Sequence, residues 1–184
     1  EVVICSGPAG TGKTFLACAE ALKLIKRYRR YKKIVIVKSV TTLKNEEIGF
    51  LKGNLREKME PFMFSFVHNF EKLVGQTITS KLRELKTIEE MPIAYMRGIN
   101  LDRSIIIVDE AQNISQENMR TIMTRLGKDS KMIFLGDERQ KDSKGGNGLT
   151  FLMDHFADIE EISCIQFNKA DVVRSPLIAK IERV

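Results

Sequence analysis

The stretch Gly7-Pro8-Ala9-Gly10-Thr11-Gly12-Lys13-Thr14 constrains the fold more than any other part of the chain. It follows the apolar run Val2-Val3-Ile4-Cys5 and precedes a segment with Phe15, Leu16, Ala19, Leu22 and Ile25 at helical spacing. Strand, G-x4-G-K-T loop, helix is the phosphate-binding loop pattern. Glycines let the backbone turn tightly and approach an anion with no Cβ in the way. Successive N–H groups then point inward, and the helix that starts near Lys13 adds its positive end. The residues from Gly7 through Pro8, Ala9, Gly10, Thr11, Gly12, Lys13 and Thr14 to Phe15 are therefore the expected cradle of a nucleoside triphosphate. Lys13 is expected to bridge the β- and γ-phosphates, and the Thr14 hydroxyl to ligate Mg2+.

Four more apolar, β-branched runs recur at Ile34–Lys38, Ile105–Asp109, Met132–Gly136 and Ile162–Phe167. They do not alternate with polar residues, as expected of strands covered on both faces of a parallel sheet. Helix-like stretches separate them, one from Lys13 to about Arg30. Another follows Ser115 as cap, with Met119, Ile122, Met123 and Leu126 as its apolar stripe and Gly127 as its stop. The pattern predicts an α/β fold: a parallel five-stranded sheet with helices on both faces. The stretch Leu43–Gly98 shows no clear strand and is expected as a helical insertion between strands 2 and 3, with Met59, Phe62, Met63, Phe66, Val67 and Phe70 as helix core. At 184 residues, residues 1–184 are expected to form one domain. Glu1 opens almost directly onto the first strand, so a longer parent protein is expected.

A magnesium site also needs a carboxylate. In Ser104-Ile105-Ile106-Ile107-Val108-Asp109-Glu110 an apolar strand delivers Asp109 to its C-terminal end, where ligands bind in such sheets. Asp109 is expected to hold Mg2+ through water, and Glu110 to act as the general base for the attacking water. That pairing, with Gln112 next, favours hydrolysis over a small-molecule kinase, which would need a lid and an acceptor pocket. After the next strand, Gln140 is placed to sense the γ-phosphate, or else belongs to a hydrophilic turn.

Composition limits the partners. The net charge of +6 fits a polyanion without requiring one. No apolar run reaches the roughly 20 residues of a membrane span. Cys5, Cys18 and Cys164 are widely spaced among small apolar neighbours and are expected buried, free and in a reducing, cytoplasmic setting. His68 and His155 have no ligand-like neighbours. The basic run Lys26–Lys33, with Tyr28 and Tyr31 interleaved, reads either as a solvated helix end or as a polyanion contact. A better candidate for a nucleic-acid channel is the loop after the second strand, on the phosphate edge, with Lys38, Lys44, Lys52, Arg56, Lys58 and Phe50; the other reading is that Phe50 anchors the insertion and that Glu46, Glu47 and Glu57 dilute the charge.

The chain resembles the PhoH-like (phosphate-starvation-inducible) ATPase family, related to superfamily 1 helicases. The resemblance rests on the Gly7–Thr14 loop, "GFLKGNLREKMEP" at Gly49–Pro61, "MPIAYMRG" at Met91–Gly98, "IIIVDEAQN" at Ile105–Asn113, "TRLGKDSKMIFLGDERQKD" at Thr124–Asp142 and "DVVRSPLI" at Asp171–Ile178. These run through nearly the whole chain in family order. The resemblance implies a RecA-like core, ATP with Mg2+, and a role with RNA or single-stranded nucleic acid. It also implies that Arg174 is an arginine finger. A glutamine that contacts adenine in relatives would lie upstream of Glu1, and Ser175 stands where the family commonly has histidine. Coupling hydrolysis to movement needs a second domain across the nucleotide, so a homo-oligomer, such as a ring, is expected. The alternative is a nucleotide-gated binding module with little turnover.

Overall fold

The structure is a computed structural model that describes residues 1–38, 55–140 and 147–173, with side chains from residue 63 onward in the second stretch. Six strands form one parallel sheet: β1 (Val2–Ser6), β2 (Lys33–Lys38), β3 (Ile88–Pro92), β4 (Ser104–Asp109), β5 (Lys131–Gly136) and β6 (Ile162–Gln166). Their spatial order is β3-β2-β4-β5-β1-β6. The sheet thus has six strands rather than the five expected. β3 escaped the sequence reading because Glu89 and Glu90 interrupt its apolar pattern. As an edge strand it tolerates both charges: Glu89 pairs with Lys33, and Glu90 with Arg83 at 2.7 Å.

Burial on two sides explains the unbroken apolar runs of β1, β2, β4 and β5, whereas β6, expected to be covered in the same way, lies largely exposed at the edge of the sheet. Every residue of β4 is buried. Ile34, Ile36, Ile105 and Ile107 point toward helix α1 (Lys13–Arg27) and helix α2 (Leu55–Val74), where they join Cys18, Ala21, Met63, Phe66 and Phe70. Val35, Val37, Ile106 and Val108 point the other way. There they meet Met119 and Ile122 of α4 (Gln116–Met123) and Leu149 and Leu152 of α5 (Gly148–Phe156). Each such side chain contributes about 1.5–3 kcal/mol on leaving water. The expected helical insertion supplies α2, α3 (Gln76–Glu84) and β3. Its Met63, Phe66 and Phe70 are fully buried and Val67 partly so, as expected. The side chains of Met59 and Phe62 lie outside the described residues.

Several local expectations change. Helix α1 ends at Arg27, where Tyr28 turns extended (φ −121°, ψ 116°). The basic run after it serves the turn into β2, at the opposite edge of the sheet from the phosphate loop. Tyr31 is buried in the core, and the Arg103 guanidinium donates to the carbonyls of Arg29 and Arg30 at 3.0 and 3.1 Å. Ser115 caps α4 as expected, accepting from the Asn118 N–H at 3.3 Å. Gly127 does not stop that helix, which ends at Met123. It is there because the chain passes Asp102 so closely that a Cβ would sit 2.1 Å from Asp102 Oδ1. Cys5 and Cys18 are buried as expected, but Cys164 is exposed, because β6 is an edge strand that the other described residues leave open. His155 Nδ1 lies 3.0 Å from Phe151 O, and His68 stacks on Phe64. No helix among the described residues is long and apolar enough to cross a membrane.

Candidate nucleotide site

The C-terminal ends of β1, β4 and β5 open onto one cavity of about 290 Å³, with Asn69 of α2 at its side. From the loop after β1 it is lined by Ala9, Gly10, Gly12, Lys13, Thr14 and Phe15. From the end of β4 come Asp109, Glu110 and Gln112, and from the end of β5 come Gly136, Asp137 and Gln140. β5 separates β4 from β1, so the acidic pair stands two strand spacings, roughly 10 Å, from the loop's strand. That gap leaves room for a bound group between them.

The loop is braced from within. Gly7 donates its N–H to the Gly136 carbonyl at 3.1 Å, docking the loop's first residue on the tip of β5. Gly7 has φ 142°, and a Cβ there would lie 2.5 Å from the Phe167 carbonyl oxygen, so only glycine fits. Gly12 caps α1 in the left-handed region at φ 79°, with open space where a Cβ would be. Thr11 is buried, and its hydroxyl donates to the Pro8 carbonyl at 3.0 Å. Gly7, Pro8 and Thr11 thus hold the loop from below and do not line the cavity. Lys13 Nζ donates to the carbonyls of Gly7 and Pro8, both at 2.7 Å. Burial holds the Lys13 ammonium below its ordinary pKa, while Asp137, Asp109 and Glu110 draw it back up.

Asp109 is only 7% exposed. Burial pushes its carboxyl up to about 6, against Lys38, whose Nζ is 3.8 Å away from Oδ2. Lys38, placed by the sequence reading in a nucleic-acid channel, therefore turns its charge to the acidic end of β4. The other channel residues, Lys44, Phe50 and Lys52 and the side chains of Arg56 and Lys58, lie outside the described residues. Glu110 adopts the left-handed region (φ 53°, ψ 42°), uncommon away from glycine. The strain, about 1–3 kcal/mol, is held by two contacts: Asn113 N–H to the Glu110 carbonyl at 2.9 Å and Gln112 Nε2 to Glu110 Oε2 at 2.6 Å.

Gln112 does more than the sequence suggested. It is fully buried, and its Oε1 accepts from the Asp137 N–H at 3.2 Å. One side chain thus ties the Glu110 carboxylate to the tip of β5. Gly136 has no Cβ for the same reason, since one would stand 2.5 Å from Gln112 Oε1. Asp137 and Asn69 were also missed. Asp137 follows its strand as Asp109 ends β4, which was a usable signal; Asn69 sits in a helix of the insertion and carried none. Asp137 starts the turn that brings in Gln140, whose N–H donates to the Asp137 carbonyl at 3.2 Å. Arg174 lies outside the described residues. Its predecessor Val173 donates its N–H to the Gly10 carbonyl at 3.0 Å.

The donors suit a hard divalent cation. A hydroxyl from Thr14 and a carboxylate from Asp109 offer oxygen, and no group of three His, Cys, Asp or Glu side chains suited to a metal occurs among the described residues. Few protein ligands, with phosphates and water completing the shell, is how Mg2+ is usually bound.

A braced glycine loop at the head of a helix, on a parallel sheet with a carboxylate pair facing it, defines the P-loop NTPase class with a RecA-like fold. The model of the family described as PhoH-like protein matches residues 1–184, so the chain belongs to that family. It is 40% identical to the PhoH-like protein of Bacillus subtilis (strain 168), over 98% of this chain and 57% of that protein. It is 32% identical to Protein PhoH of Escherichia coli (strain K12), over 96% of this chain and 51% of that protein. The chain thus spans little more than half the length of these curated relatives. Among solved structures, it is similar to the large terminase of a thermophilic bacteriophage: TM-score 0.52 and 13% identity, over 98% of this chain and 44% of that one.

Proposed function

We propose that residues 1–184 form a single RecA-like domain that binds ATP and hydrolyses it with Mg2+, in the service of RNA or another single-stranded nucleic acid. The reading rests on one observation. Lys13, Thr14, Asp109, Glu110 and Gln140, from three strand ends far apart in sequence, line a single cavity.

In this reading the loop amides receive the phosphates, and Lys13 leaves the carbonyls of Gly7 and Pro8 to bridge the β- and γ-phosphates. The hydroxyl of Thr14, and Asp109 through water, would hold Mg2+, which when bound would supply charge neutralisation to the phosphates. Glu110 Oε2, oriented by Gln112, accepts a proton from the water that attacks the γ-phosphorus in line. The γ-phosphoryl passes to that water, and ADP leaves. Gln140 senses the γ-phosphate. Arg174 stabilises the transferring group; its neighbour Val173 is bonded to the loop at Gly10, which supports that role. Whether it acts in its own chain or a neighbour's turns on the oligomer, which we infer to be a homo-oligomer. A cytoplasmic setting agrees with the two buried free thiols, Cys5 and Cys18.

The test is phosphate release and nucleotide binding measured on wild type, Lys13→Ala and Glu110→Gln. Lys13→Ala is expected to abolish turnover. Glu110→Gln is expected to bind ATP normally and to lose about 10²–10⁴ in turnover, the usual contribution of a general base. Normal hydrolysis by the glutamine variant would remove Glu110 from this role. A low wild-type rate that RNA does not change would favour the nucleotide-gated module.

A further inference from the structure

We propose that the turn after β3 and the start of α4 form a subsite for one nucleotide of a single-stranded polynucleotide, with Tyr95 as the stacking surface and Arg97 and Asn118 as polar contacts. The inference deepens the nucleic-acid part of the reading above and rests on it.

Position comes first. Pro92 at the end of β3 is in register with Lys38, and Lys38 with Asp109. The turn that follows Pro92 therefore lies on the same sheet edge as the nucleotide cavity. In that 3-10 turn, Ile93–Met96, residues three apart share a side. Met96 is fully buried and Ile93 is partly buried against the core, so the turn is fixed from beneath. This leaves Ala94, Tyr95 and Arg97 outside, with Tyr95 59% exposed. Ala94 and Arg97, with Ile93 and Asn118, line a second cavity of about 300 Å³, and Tyr95 stands between Ala94 and Arg97 in the chain, outside that lining.

The chemistry of this patch matches a polynucleotide. Among the described residues, Tyr95 makes no hydrogen bond or ring contact, and the Asn118 side-chain amide has no partner. Arg97 meets only Glu117, at 3.8 Å, and both side chains are largely solvated (66% and 86% exposed), a weak arrangement that a phosphate can displace. No carboxylate lines the cavity itself. A solvated aromatic ring, a free amide and a loosely held guanidinium are the groups that stack a base, contact its edge and hold its phosphate. A fixed turn presents them with little ordering cost. Asn118 also ties the patch to the nucleotide cavity, because only a three-residue turn, Ile114 and the cap Ser115 separate Glu110 from α4.

The test is fluorescence anisotropy of labelled oligouridine and oligothymidine on the 184-residue chain, with ATP binding measured in parallel. Tyr95→Ala is expected to weaken binding between about fivefold and 150-fold, the worth of one stacked base, and Tyr95→Phe to stay within about twofold of wild type. Arg97→Gln should reduce the slope of log affinity against log salt by about 0.7, one phosphate on a single strand. Glu117→Gln should tighten binding. A larger loss with oligouridine than with oligothymidine identifies RNA as the ligand, and equal losses identify a strand read without its sugar. If Tyr95→Ala, with its melting temperature retained, binds both oligomers as wild type does, the subsite is refuted while the ATP reading stands. If wild type binds neither oligomer, this inference fails together with the nucleic-acid reading, and ATP binding still reports on the cradle separately.

Discussion

Replacing Asp109 by asparagine should make the empty protein more stable while destroying its response to Mg2+ and ATP. Asp109 is 7% exposed, and burial raises its carboxyl pKa from 3.8 to about 6 despite Lys38. A carboxyl whose folded pKa is raised holds its proton more tightly in the folded state. Its contribution to stability is complete below about pH 4 and is lost as pH rises through about 6. The gap between 3.8 and about 6 converts to ~3 kcal/mol of penalty at pH 8. About half of that remains at pH 5 and little at pH 4. Asparagine keeps the shape and has no charge to desolvate. Lys38, with 20% of its side chain exposed, can turn to water when its partner is gone. At 2–4 °C per kcal/mol for a chain of this size, Asp109→Asn should melt about 6–12 °C above wild type at pH 8 in EDTA. That advantage should shrink steadily toward pH 4. With Mg2+ and ATP at a hundredfold above Kd, wild type should gain about 2.7 kcal/mol and the variant far less. Thermal unfolding by circular dichroism, from pH 4 to 8 with and without Mg2+ and ATP, reads all of this. A stability difference independent of pH, or equal stabilisation of both proteins by Mg2+ and ATP, would refute the picture of Asp109 as a desolvated metal carboxylate.

Other perturbations test other links. Gln112→Ala removes the side chain that joins Glu110 Oε2 to the Asp137 N–H. Turnover should drop about tenfold or more with little change in KM for ATP, as Glu110 loses the side chain that orients it. An unchanged kcat, with only the melting temperature lowered, would make Gln112 merely structural. Gly7→Ala forces a Cβ to within 2.5 Å of the Phe167 carbonyl at a φ of 142°. A loss of about 2–4 kcal/mol in chemical denaturation is expected, and an unchanged midpoint would mean that β6 and its following residues yield easily.

The parts of the fold legible from sequence were those governed by local rules. Val2–Ser6 came out at its observed limits, and β4 and β5 within one residue, because doubly covered parallel strands are unbroken runs of β-branched residues. β3 was not legible: Glu89 and Glu90 make it look like a solvated loop, and only its place beside β2, with Lys33 and Arg83 as partners, makes it a strand. The end of α1 and the meaning of Gly127 failed for a related reason. Both depend on which distant segment passes nearby.

The candidate site divides in the same way. By itself the sequence determined the Gly7–Thr14 loop between β1 and α1, since a tight turn with left-handed and close-packed positions before a helix needs glycines in a fixed local order. It also supplied Asp109 and Glu110 at the end of an apolar strand. The tertiary structure decided that Lys38 turns to Asp109, that Asn69 and Asp137 join the cavity, and that Gln112 clasps Glu110 to the tip of β5. Those choices follow from strand order and burial, which bring together groups that are remote in sequence, and no local spacing encodes them.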